Sequence, residues 1–81
     1  MTRVELRLPE LGMDDQPIAL SVWLVPRGAR VVAGERIVEV LAGVATVDLP
    51  SPVDGRVVER LVDEDEPIRV GQIIAMIETD A

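Results

Sequence analysis

The chain has 81 residues, with 8 basic against 15 acidic side chains and a formal net charge of −7. That length suits one small domain, residues 1–81, which buries about two-thirds of the surface its unfolded form exposes and leaves no room for a second. The charge repels phosphate backbones and anionic lipid headgroups, so neither nucleic acid nor a membrane is expected as a partner.

In chain order, the predicted elements are all strands. Val4, Leu6 and Leu8 alternate with Arg3, Glu5 and Arg7, the pattern of a half-buried strand. Ile18 to Val25 is almost entirely apolar and reads as a more fully covered strand. Alternation returns where Ile37 and Val40 stand among Glu35, Arg36 and Glu39, and again where Thr46 and Asp48 flank Val47 and Leu49. Arg56 to Val62 and Gln72 to Ile77 follow as covered strands.

Turn residues separate these segments at short intervals. They are Leu11-Gly12 through Gln16-Pro17, Pro26-Arg27-Gly28, Ala33-Gly34, Pro50-Ser51-Pro52, Asp54-Gly55, Asp63 to Pro67, and Val70-Gly71. No segment sustains a helical period. With one Trp and no Phe or Tyr, the core must be built from branched aliphatic side chains, which suit strands. An all-β sandwich or barrel follows.

A shift of 37 residues lays the second half on the first. Leu24-Val25 then matches Leu61-Val62, Val31 matches Ile68, Gly34 matches Gly71, Ile37 matches Ile74, and Val40 matches Ile77. This predicts an internal duplication whose halves interlock around one core with pseudo-two-fold symmetry. Gly28, at a turn expected to need positive φ, falls opposite Asp65, one of the few side chains that tolerates that region.

Candidate chemistry is sparse. All eight basic residues are Arg, and the chain has no Lys, His, Cys or Tyr, so the usual proton-exchanging and nucleophilic groups are missing. Ser51, between Pro50 and Pro52, reads as a turn residue without a base to activate it. Oxygen ligands alone could hold Ca²⁺ or Mg²⁺, yet Asp63-Glu64-Asp65-Glu66 lacks the spacing and Gly of a calcium loop and reads as a solvated turn. No metal is expected. Met13, Asp14 and Asp15 form a loop that could help dock a basic partner. Trp23 reads as a partly buried strand residue. The absence of Cys makes a reducing, cytoplasmic setting the default expectation. The first residues lack a signal-peptide layout, and Ile18 to Val25 falls far short of the roughly 20 residues a membrane helix needs.

Several runs together resemble the lipoyl domain, the swinging-arm domain of acyltransferase components of 2-oxo acid dehydrogenase complexes. They are Leu8-Pro9-Glu10-Leu11-Gly12, Trp23-Leu24-Val25, Gly34-Glu35, Glu39-Val40, Ala45 through Gly55, and Val70 through Ala75. The resemblance covers nearly the whole chain. It implies a flattened β-barrel, a barrel-sandwich hybrid of two four-stranded antiparallel sheets with a tight hairpin at one end. In the family that hairpin carries Asp-Lys-Ala, and its Lys receives lipoate through an amide bond. Here the corresponding residues are Gly43, Val44 and Ala45, so Val44 stands at the lysine position and cannot accept lipoate. Pro17-Ile18 stands where the family often has Glu-Gly, and Ala29 where Asp is common, in loops used to recognise the ligase and the decarboxylase. The related biotin carriers bracket their lysine with Met, which Gly43 and Ala45 do not match.

Three functions compete. The first is a non-acylated docking or structural module, monomeric as an isolated domain. Its partners would be a thiamine-dependent decarboxylase or an acyltransferase core, met through a basic face. The second is a swinging-arm carrier whose lysine is missing from this chain. The third is a spacer. Leu41, Ala42, Val44 and Ala45 would form either an inert turn or a small apolar contact point on an exposed hairpin.

Overall fold

Leu6 is buried between exposed Glu5 and Arg7, and that alternation builds the first strand, β1 (Thr2–Arg7). The computed structural model describes residues 1–13 and 16–79, so Asp14 and Asp15 of the sequence analysis lie outside the described residues. After β1 come β2 (Ile18–Trp23), β3 (Arg30–Val31), β4 (Arg36–Ala42), β5 (Ala45–Pro50), β6 (Gly55–Arg60) and β7 (Ile73–Thr79). All strand pairs are antiparallel, in a four-stranded sheet ordered β1-β7-β6-β3 and a three-stranded sheet ordered β2-β4-β5. No helix among the described residues is long and apolar enough to cross a membrane.

The second sheet is one strand short of the expected four. Where a fourth strand would run, Pro67 alone bridges Ala19. On either side the Leu20 N–H donates to the Glu66 carbonyl (3.0 Å) and the Ile68 N–H to the Ile18 carbonyl (2.9 Å). Those flanking bonds make Ala19 and Pro67 a non-hydrogen-bonded pair, so the N–H that Pro67 lacks forfeits nothing. One bridged residue is still too little for a strand. Its counterpart in the first sheet is the Arg30–Arg56 pair of β3, a strand too short to alternate and therefore invisible in the sequence.

The internal repeat is physical. The β2–β4 register slips at Ser21 and the β6–β7 register at Val58, 37 positions later. The β4–β5 pairing skips Ile37, and the β1–β7 pairing skips Ile74, again 37 positions on. The Gly34 N–H donates to the Ser51 carbonyl at 2.9 Å and the Gly71 N–H to that of Leu8 at 2.8 Å. Gly28 has φ 90° and Asp65 φ 70°, the one non-glycine positive φ among the described residues. Replacing Asp65 with Val, a β-branched residue that resists this region, is expected to cost about 1–2 kcal/mol. Asp65→Gly should change stability by less than about 0.5 kcal/mol, since glycine's freedom in the unfolded chain offsets the relieved strain. Urea denaturation of the two variants checks both values.

The core is aliphatic. Leu8, Leu20, Ile37, Val40, Val57, Ile74 and Ile77 are buried, drawn from both halves of the repeat. The Ile18–Val25 run is less covered than its composition predicts. Val22 is 36% and Leu24 44% exposed, because the slip at Ser21 turns Val22 outward beside Glu39 and the strand ends at Trp23. Trp23 is half-buried, with its indole N–H donating to the Val62 carbonyl at 3.0 Å and the Arg60 guanidinium 5.4 Å from the ring centre.

Candidate functional site at the β4–β5 turn

Gly43 and Val44 are the whole connection between β4 and β5, closed by the pair Ala42 and Ala45. Gly43 has φ 63° and Val44 has no positive φ, which excludes a type I′ turn and fits type II′, the form with Gly at its first central position. The second position of such a turn has negative φ, which a valine can adopt. The Gly43 N–H donates to the Pro17 carbonyl at 3.1 Å, so the hairpin end is tied to the β1–β2 connection. A Cβ placed on Gly43 would lie 2.5 Å from Gln16 Oε1, so any other residue there must displace that side chain.

The turn projects one side chain fully. Val44 is 102% exposed, while Ala42 is buried, Ala45 half-buried and Leu41 exposed. No charged residue stands between Glu39 and Asp48, so the end of the hairpin is apolar where a solvated turn would normally carry charge.

The sequence profile of the biotin/lipoyl family, described as biotin-requiring enzyme, matches residues 4–77. The chain belongs to the biotin/lipoyl domain family. It is 37% identical over 73 residues to the dihydrolipoyllysine-residue acetyltransferase component of the pyruvate dehydrogenase complex of Corynebacterium glutamicum, covering 90% of this chain and 11% of that protein. It is 30% identical over 76 residues to the lipoamide acyltransferase component of the branched-chain alpha-keto acid dehydrogenase complex of Bacillus subtilis, covering 94% of this chain and 18% of the relative. The dihydrolipoyllysine-residue succinyltransferase component of the 2-oxoglutarate dehydrogenase complex of Bartonella vinsonii subsp. berkhoffii is 30% identical over 77 residues, or 95% of this chain and 19% of that relative. The chain thus spans between 11% and 19% of the length of these three relatives. A biotin/lipoyl domain is a carrier unit and not itself catalytic, and the lipoyl branch of the family holds its lipoate covalently.

The residues of this turn do not fit lipoate. Attachment needs a primary amine, Val44 ends in two methyl groups, and the chain contains no Lys at any position. Gly43 and Ala45 on either side add no nucleophile.

The other residues singled out in the sequence are dispersed. Half-buried Met13 lines a groove of about 650 Å³ together with Leu11, Pro17, Ile18, Ile68 and Val70. Ser51 is buried and its hydroxyl donates to the Val53 carbonyl at 2.7 Å, as a turn residue does. In the acidic run, Glu64 accepts the Trp23 N–H at 3.0 Å and Glu66 accepts the Asp63 N–H at 3.1 Å, so two of its carboxylates brace backbone. Gln16 and Pro17, which hold the turn from the side, were missed as a pair acting on it. The available signal was length: residues 8–17 join β1 to β2, whereas 51–54 join the equivalent β5 and β6.

Proposed function

We propose that this domain is a non-acylated lipoyl-type module that docks or braces an acyl-transfer assembly of the 2-oxo acid dehydrogenase kind, working in the cytoplasm as a monomeric unit without a cofactor. The observation that carries the reading is a fully exposed Val44 at the two-residue turn of a lipoyl-type scaffold whose sequence has no lysine. The matched relatives are named as acyltransferase components of 2-oxo acid dehydrogenase complexes, which supports partners of that class: a thiamine-dependent decarboxylase or the acyltransferase core. The net charge of −7 favours a basic surface on the partner and an association weakened by salt.

Leaving this domain out of the assembly is expected to lower the amount of decarboxylase co-purifying with the acyltransferase core. With the domain present, co-purification should fall as ionic strength rises from about 0.05 to about 0.2 M, over roughly the range where the Debye length shrinks below about 10 Å, and the difference made by the deletion should narrow. Co-purification unchanged by the deletion contradicts the docking role.

A further inference from the structure

The two halves of the repeat each end in a sheet edge, and the two edges are not equally guarded. β1 is the open edge of the first sheet and β5 that of the second. They are equivalent strands, since β1 pairs with β7 as β5 pairs with β4, with Thr2 opposite Thr79 where Ala45 is opposite Ala42. Where β1 has Arg3, Glu5 and Arg7, β5 has Thr46, Asp48 and Pro50. The charges on both edges are paired, Arg3 with Glu59 at 3.1 Å and Arg7 with Glu5 at 2.9 Å on β1, and Asp48 of β5 with Arg36 of β4 at 3.6 Å. Charged side chains and Pro along an edge are how sheet proteins block unwanted pairing, and β5 keeps one charge where β1 keeps three, with Pro50 closing only its far end. The remaining edges are short or covered: β3 has two residues and β2 is bridged by Pro67.

The backbone of β5 is ready to pair. The turn bond between Ala45 and Ala42 makes them a hydrogen-bonded pair, and the alternation along an antiparallel ladder then points the N–H and C=O groups of Thr46 and Asp48 away from β4, toward the open side. Six residues give an edge about 20 Å long. Its surroundings select the occupant. β5 has no cation of its own, Asp48 lies beside Glu39 in the ladder and is met by the largely exposed Arg36 of β4 at 3.6 Å, and Val44 stands exposed at the hairpin end.

We propose that the β5 edge is a docking strand that takes an extended, basic segment of a partner protein by strand addition. Main-chain bonds would form at Thr46 and Asp48, a cationic side chain would share Asp48 with the exposed Arg36, and an apolar one would lie against Val44. A second copy of this chain is disfavoured there, because each copy brings a charge of −7 and no cation on β5. The inference rests on the docking reading above and names the chemistry of what docks.

The test uses the unaltered chain and a seven-residue peptide of alternating Val and Arg with blocked ends. Slowed hydrogen exchange is expected at the Thr46 and Asp48 amides, with the β1 amides unaffected. N-methylating alternate peptide residues, in each of the two registers, should weaken binding about tenfold or more in one register only, since it removes backbone donors while keeping charge. A Glu-for-Arg peptide should not bind, and Thr46→Lys should weaken the Val-Arg peptide about tenfold. Absence of binding, protection elsewhere than at Thr46 and Asp48, or indifference to N-methylation in both registers overturns the proposal. So does sedimentation showing a peptide-free dimer through β5. Any of these results leaves the acylation state of the domain, measured by its mass, undecided and separately testable.

Discussion

Ile74→Ala is expected to destabilise the domain by about 2–5 kcal/mol, the usual cost of emptying an aliphatic site in a core that relaxes only partly. Ile74 is fully buried, sits where the β1–β7 register slips, and belongs to the single core cluster that draws on both sheets. A domain of this size has roughly 4–12 kcal/mol to lose, so the variant should give up a large share of its stability. The repeat makes the result sharper, because Ile37 occupies the matching slip in the other half and is equally buried. Ile37→Ala should therefore cost the same as Ile74→Ala to within about 1 kcal/mol, with the milder pair Ile37→Val and Ile74→Val at about 0.5–1.5 kcal/mol each if the Ala variants do not fold. Equilibrium urea denaturation measures all four. A large inequality would contradict one core shared by two equivalent halves.

Gly55→Ala is expected to cost about 2–3 kcal/mol, through collision and not through lost burial. A Cβ at Gly55 would run into the Glu78 carbonyl oxygen, with the carbonyl carbon at 3.0 Å and Ile77 Cγ2 at 3.2 Å. All three belong to β7, the central partner of β6, so the strands must separate at the Arg56–Glu78 pair or the new methyl cannot fit. Gly71→Ala provides the contrast. Its site is open space, and only a φ of +87° opposes the side chain, for an expected cost of about 1–2 kcal/mol. Thermal melts of the two variants should rank Gly55→Ala as the more damaging, and the reverse order would mean that the β6–β7 spacing is looser than described.

Most of the fold was legible because its signals are local and periodic. Leu6 between Glu5 and Arg7, and Val40 beside Glu39, announce strands through alternation alone, and the 37-residue shift foretold that Asp65 would take the left-handed conformation of Gly28. What escaped depends on pairing. β3 is two residues, below any period, and the fourth strand of the second sheet shrinks to Pro67 because one bridged pair ends the ladder. The exposure of Val22 follows from a register slip that no run of apolar letters reveals. At the turn, residue identity was enough to place Gly43, Val44 and Ala45 together. The hold of Pro17 and Gln16 on Gly43 joins residues distant in sequence and required coordinates. The contrast between the edges of β1 and β5 is equally a fact of topology, since both strands alternate normally as sequences.

The docking role requires that Val44 take no acyl group, and intact mass measures that directly. The chain is co-expressed with a lipoate ligase in cells supplied with lipoate, beside a lysine-bearing lipoyl domain as the positive control and the Gly43→Asp, Val44→Lys double variant. The expected mass of the unaltered chain is that of its 81 residues with no lipoyl addition, while the control is modified. An increase of one lipoyl group on the unaltered chain would contradict the account.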